Sequence, residues 1–175
     1  MRPSPLSSLF LLRVPSVPHF LRFLFASLVL HFCVGPVFAQ GMYVEFSDRL
    51  PDGPVEKTIA IDRVVGEGKE TVRGQFVVLE YEGWVYDLSA PERKGRKFDS
   101  TKDRGQSLSV LAGVNRMITG FDRGIMGMRV GGKRTLVVPP KLGYGTRIAF
   151  GEVPPNSTLI FDVELLDVVP ASNVP

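Results

Sequence analysis

The sequence predicts an α+β fold: an antiparallel sheet with one wet face and one buried face, the buried face covered by a single short helix. Three observations lead there. Phe76–Tyr86 alternates, with Val77, Leu79, Tyr81, Gly83 and Val85 on one side and Phe76, Val78, Glu80, Glu82 and Trp84 on the other. Thr158–Val169 alternates in the same way, setting Leu159, Phe161, Val163 and Leu165 against Ile160, Asp162 and Glu164. Strands that are half polar in this manner belong to antiparallel sheets solvated on one side. Between them lies one stretch of helical spacing, Phe121 and Ile125 at i, i+4. One short helix over such a sheet is α+β architecture.

The remaining elements follow in chain order. Residues 40–57 form an extension containing Gly and Pro, expected to be loosely held. Thr58–Val65 is β-prone and ends at the turn signal Gly66-Glu67-Gly68. Leu88–Lys94 reads as a polar loop, Arg96–Ser100 as renewed extended chain, and Leu108–Leu111 as a short strand. The helix is expected to start with Thr119 as cap and Asp122 three residues on, as in a capping box, and to stop at Gly127. Gly120 and Gly124 each weaken it by about 1 kcal/mol relative to Ala, so it must lie against a surface that glycine lets it approach closely. Lys133–Val138 is a strand closed by Pro139-Pro140, which cannot continue a central ladder.

The first 39 residues differ in kind. They carry Arg2, Arg13 and Arg22, both histidines (His19 and His31), the single cysteine Cys33, and no acidic residue before Glu45. A basic stretch ending at Arg22, an apolar run from Phe23 to about Val34, and Val37-Phe38-Ala39 read as a targeting leader cleaved after Ala39. The alternatives are an uncleaved membrane anchor or an organelle transit peptide. Pro36 and the short apolar run count against an anchor, which takes roughly 20 apolar residues. Without the three leader arginines, 18 basic residues balance 18 acidic ones, so the net charge of +3 belongs to the leader. Nucleic-acid binding is therefore not expected. The body is 58–169, with a tail at 170–175.

After the leader there is no histidine and no cysteine. Ser-His-Asp and Cys-His nucleophilic machinery is excluded there, as are zinc sites built on those ligands. Gly131-Gly132-Lys133 lacks the Walker spacing, and Gly143-Tyr144-Gly145 has Ile148 where a dinucleotide fingerprint has its third glycine. No cofactor or metal is expected. A hydrolase built on paired carboxylates stays open only weakly, because no pair converges. The chemistry that remains needs shape and a few polar groups.

Three segments carry a resemblance. Pro139-Pro140-Lys141-Leu142-Gly143-Tyr144-Gly145, then Val153-Pro154-Pro155-Asn156-Ser157-Thr158-Leu159-Ile160-Phe161-Asp162-Val163-Glu164-Leu165-Leu166-Asp167, and upstream Phe98-Asp99-Ser100 occur in the order found in the FKBP (tacrolimus-binding) family of peptidyl-prolyl isomerases. From about Gly66 to Val168 the chain resembles that family continuously. The resemblance implies a curved antiparallel sheet wrapped over the helix. Carried over residue by residue, it implies catalytic positions at Tyr81, Phe98, Asp99, Phe121, Tyr144 and Phe161, and substrate-binding positions at Arg104, Leu108, Met117, Ile118 and Val153. In the family the position of Phe121 is the pocket floor, and that of Tyr144 offers a hydroxyl to the ligand carbonyl. Met117 and Ile118 match a pair that contacts bound peptide or macrolide.

Taken singly, Phe98, Phe121 and Phe161 would read as ordinary core, and Asp99 with Arg104 as a surface ion pair. Tyr144, in a loop between two glycines, is harder to read as packing. The implied partners are proline-containing polypeptides and macrolide inhibitors, with the protein a monomer, exported to the periplasm or secreted; a plastid lumen is an alternative. The competing function is a module that binds proline loops on the same pocket without turnover. The chain departs from the usual pattern at Leu108 (commonly Phe), Phe121 (often Trp), Ala149 and Glu152. These departures bear on macrolide preference more than on fold.

Overall fold

The computed structural model describes residues 43–169; the expected leader (1–39), its Cys33 and the tail (170–175) lie outside them. Among the described residues the order is β1 (Val44–Phe46), β2 (Thr58–Val64), β3 (Phe76–Tyr86), β4 (Lys94–Ser100), α1 (Thr101–Arg104), β5 (Leu108–Leu111), α2 (Thr119–Gly124), β6 (Lys133–Val138) and β7 (Leu159–Val169). The strands form one open, curved sheet in the order β1-β2-β6-β7-β3-β4, with β5 also paired to β3. Its spine is the antiparallel pair β3–β7, in register from Phe76↔Val169 to Val85↔Leu159 with a bulge between Val78 and Leu79. The alternation in both strands sets their inward face: Val77, Leu79, Leu159, Phe161, Val163 and Leu165 all turn into the core. No described helix is long and apolar enough to cross a membrane.

Helix α2 lies on that core against β2 and β6. A methyl group at Gly120 would sit 2.5 Å from Thr58 Oγ1 and Val138 Cγ1, and one at Gly124 2.7 Å from Leu136 Cδ2. The two glycines that weaken the helix are what let it reach the sheet. Its start differs from the expected capping box. Thr119 is already inside the helix; Ile118 is the N-cap, and its carbonyl accepts from the N–H groups of Phe121 and Asp122, each at 3.0 Å. The Asp122 carboxylate, fully buried, instead accepts from the N–H groups of Gly113 (2.8 Å) and Asn115 (2.9 Å). The helix also stops earlier than expected, at Gly124; Gly127 (φ 74°) closes the turn beyond it.

Two further expectations are corrected. The extension is held rather than loose: β1 pairs with β2, Val44 is 5% exposed, and the Tyr86 hydroxyl donates to the Pro51 carbonyl. That β1–β2 pairing is parallel, the exception in an otherwise antiparallel sheet. A second helix, α1, follows β4 directly. Ser100 caps it by accepting from Asp103 N–H at 3.2 Å, and Gly105 (φ 65°) ends it after one turn.

Candidate active site

Five aromatic rings from separate elements meet on the buried side of the sheet. Phe121 comes from α2, Tyr81 from β3, Phe98 from β4, Phe161 from β7, and Tyr144 from the loop after β6. Phe121 packs edge-on against Phe161 (centroids 5.2 Å apart) and Tyr81 (5.5 Å). Phe161 meets Phe98 at 5.7 Å and Tyr81 at 6.2 Å, and Phe98 meets Tyr144 at 6.3 Å. Every one of these pairs is T-shaped, the arrangement the ring quadrupole favours, each worth about 0.5–1.5 kcal/mol beyond area burial. Gly83 makes the room: a methyl there would stand 2.9 Å from both Phe161 Cε1 and Phe98 Cζ.

The polar edge is Asp99. The Tyr81 hydroxyl donates to its Oδ2, while Arg104 Nη1 and the Ser100 N–H (2.9 Å) donate to its Oδ1. Arg104 Nη2 also donates to the Tyr81 hydroxyl at 3.2 Å. The carboxylate is nearly enclosed, at 10% side-chain exposure, whereas Arg104 is 46% exposed. This is more than a surface ion pair, because it fixes a ring of the cluster. Burial, then the hydrogen bond to Asp99, holds the Tyr81 hydroxyl above its usual pKa. Thr101, at the start of α1, accepts from Tyr81 N–H (2.9 Å) and donates to its carbonyl (3.1 Å).

Tyr144 supplies the free donor. Among the described residues its hydroxyl has no hydrogen-bond partner. Burial, reinforced by the charges of Tyr81 and Asp99, pushes its pKa up to about 12, so it stays protonated through the physiological range. The backbone around it is pinned by Gly143 N–H on Pro139 O (3.0 Å) and Gly145 N–H on Pro140 O (2.9 Å). Of the remaining sequence-predicted residues, Val153 is buried in the hydrophobic core that also holds Phe121 and Phe161, and Leu108, Met117 and Ile118 are half-buried against that core. Val153 closes the loop through Val153 N–H on Ala149 O at 2.9 Å. Leu108 sits opposite Leu79 on β5. Glu152 turns outward, 3.9 Å from Arg96 Nε, both side chains more than half exposed.

Sequence reasoning missed Phe150, whose ring lies 5.6 Å from Phe98 and 5.8 Å from Tyr144. The signal was present, since Phe150 precedes Gly151 in the same Gly-bearing loop that singled out Tyr144. It missed Thr101 and the spacing role of Gly83 as well. A separate depression of about 680 Å³ is lined by β3 and β7 residues including Glu82, Asp162 and Glu164. Many of its charges are paired, Lys102 with Glu82 (3.1 Å), Lys94 with Asp162 (2.7 Å) and Lys133 with Glu164 (3.0 Å) among them. Charged side chains dominate its lining, in contrast to the ring cluster.

Comparison with known proteins agrees with this geometry. The family model described as FKBP-type peptidyl-prolyl cis-trans isomerase matches residues 67–166. An FK506-binding protein of Neisseria meningitidis serogroup A is 48% identical over 103 residues, 59% of this chain and 88% of that protein. Human peptidyl-prolyl cis-trans isomerase FKBP10 is 48% identical over 100 residues, 57% of this chain but only 16% of that protein. Among solved structures, FkpA from Escherichia coli superposes with a TM-score of 0.56 at 37% identity, covering 66% of this chain and 49% of that one. AtFKBP13 gives 0.55 at 39% identity, covering 63% and 91%. Five edge-packed rings, one of them the loop tyrosine, and a tethered carboxylate thus stand on a sheet and helix shared with these proteins, and the chain belongs to the FKBP-type peptidyl-prolyl cis-trans isomerase family.

Proposed function

We propose that this isomerase accelerates rotation about X-Pro bonds in exported polypeptides with an apolar pocket, using no covalent or acid–base step. One observation carries the reading: among the described residues the Tyr144 hydroxyl of the ring cluster has no partner, and it lies within the field of a carboxylate, Asp99, both of whose oxygens already accept hydrogen bonds. Phe121 is the floor that seats the proline ring, with Tyr81, Phe98 and Phe161 as walls. The Tyr144 hydroxyl holds the residue before proline, and the Asp99 side borders the rotating carbonyl. Ile118, the N-cap of α2, supports an extended peptide through its backbone beside Met117. Arg104, Leu108 and Val153 complete the binding surface.

The barrier to X-Pro rotation is about 18–20 kcal/mol, most of it lost amide resonance. In the twisted transition state the C–N bond is nearly single and the carbonyl carries less separated charge. An apolar cavity loses less by solvating that species than by solvating the planar amide, which is the differential binding a catalyst requires. No proton moves. The test is refolding of a protein limited by a cis-proline: acceleration at micromolar concentration is expected, and its absence would refute the proposal. The relatives named as FK506-binding support a second expectation, that FK506 competes for this pocket and abolishes the acceleration. Export rests on the leader composition. N-terminal sequencing of exported protein should begin at Gln40, and a soluble form beginning at Met1 would count against it.

A further inference from the structure

We propose that Phe150 is a specificity-determining residue that gives the isomerase a second apolar contact, taking a large apolar side chain one or two residues outside the X-Pro pair. The inference rests on the isomerase reading and extends it beyond the proline pocket. Phe150 packs on the outer side of that pocket, against Phe98 (5.6 Å) and Tyr144 (5.8 Å), and stays 56% exposed. A single exposed ring needs no explanation by itself, but this one stands at the mouth of the site on the two rings that border it.

The backbone sharpens the point. Glu152 N–H closes on Ala149 O at 3.1 Å, so Ala149-Phe150-Gly151-Glu152 is a tight turn. Both central residues have positive φ, 52° at Phe150 and 66° at Gly151. Hairpin turns with positive φ at both centres favour Asn-Gly or Gly-Gly; phenylalanine there is strained. Asparagine would serve the turn better, and strain kept at the rim of a site points to a use for the ring.

The surroundings select the occupant. A groove outside Phe98 is lined by Lys97, Asp99, Asp103, Arg104 and Phe150. Its charges are already matched: Lys97 lies 2.6 Å from Asp103, and Arg104 pairs with Asp99. The ring is what the groove leaves unpartnered, so an apolar or aromatic side chain fits and a charged one gains little. Proline on Phe121 and its predecessor at Tyr144 leave Phe150 one ring-spacing farther out. Extended chain advances about 3.3–3.6 Å per residue, so that spacing corresponds to one or two residues.

The test uses the full chain and X-Pro peptides that are otherwise alanine, with or without one Phe one or two residues outside the pair. The wild type is expected to favour a Phe-bearing peptide by about 2- to 10-fold in kcat/KM, the worth of one aromatic pair. Phe150→Asn should bring that ratio close to 1 without lowering Tm, and Phe150→Tyr should keep it. A ratio that survives Phe150→Asn overturns the inference, as does a wild type without preference. A lower Tm with an unchanged ratio would assign the ring to folding instead. If the wild type isomerises neither peptide, the isomerase reading itself fails, and this inference with it.

Discussion

Replacing Tyr144 by Phe removes one oxygen and leaves the ring that packs 6.3 Å from Phe98 and 5.8 Å from Phe150. Since the hydroxyl has no partner among the described residues, its loss breaks no internal hydrogen bond. Tm should therefore stay within about 4 °C of the wild type, the shift that about 1 kcal/mol produces in a small domain. Bound substrate would lose one hydrogen bond, worth about 0.5–1.5 kcal/mol net. At about 1.4 kcal/mol per decade, that predicts a 2- to 13-fold fall in kcat/KM for an X-Pro peptide. The split between constants is informative. A bond held equally in the planar and twisted states raises KM and spares kcat, whereas one strengthened on twisting lowers kcat. An unchanged kcat/KM would refute the assignment of this hydroxyl to substrate. A Tm drop well beyond the stated range would show that it serves the fold.

Three other perturbations follow from the same geometry. Phe121→Ala empties the floor, where the ring is 4% exposed; a stability loss of about 3–5 kcal/mol in urea melts is expected together with a severe loss of activity in conditions where the variant stays folded, and full activity would show the pocket to be misplaced. Gly83→Ala puts a methyl 2.9 Å from ring atoms of both Phe98 and Phe161, inside the 3.5–4.0 Å optimum for carbon contacts; overpacking of about 1–3 kcal/mol and reduced kcat/KM are expected, and a variant as stable and active as wild type would mean that both rings yield freely. The raised pKa of Tyr144, about 12 when folded, makes the unfolded chain release this proton first, so stability should decline as pH rises from about 10 to 12, and Tyr144→Phe should flatten that decline in alkaline melts; an identical slope in the variant would refute the shift.

The fold was legible where one period ran long enough to be read. β3 and β7 have eleven residues each and alternate almost throughout, so their inward faces could be read directly, although not that the two strands pair. α2 was found from Phe121 and Ile125, yet its capping was misread because Asp122 serves residues outside the helix. Spacing shows that a carboxylate lies near a helix start, not which N–H groups it reaches. β1 has three residues and α1 has four, too short for any period, although Ser100, Asp103 and Gly105 form a legible start-and-stop signal around α1. The ring residues were accessible because aromatics on an apolar face, or between glycines, are few and distinctive. Phe150 carried only the weak signal of a glycine beside it, and Gly83 carried none. One owes its place to a strained turn and the other to space left empty, and neither leaves a periodic trace.

Asp99 is the group most easily mistaken for a catalytic base. It lies at the pocket edge, but a base must offer a free lone pair to the proton it takes. A carboxylate has about four such sites; the Tyr81 hydroxyl, Arg104 and the Ser100 N–H claim three of them, and X-Pro rotation presents no proton to the fourth. On the proposed mechanism its work is positional: it holds the Tyr81 ring on edge and keeps Arg104 at the mouth. The energetics point the same way. Uncatalysed rotation takes about 10–100 s, so turnover near 10³ s⁻¹ requires a gain of roughly 10⁴–10⁵, or about 5.5–7 kcal/mol. The one free hydroxyl supplies no more than about 1.5 kcal/mol of that. Most of the remainder must come from exchanging water for the hydrocarbon of Phe121, Phe161 and Phe98 around an amide that has lost its charge separation. Loss of Phe121 should therefore cost far more catalysis than loss of the Tyr144 hydroxyl, and the reverse order would point to hydrogen bonding as the main source of rate.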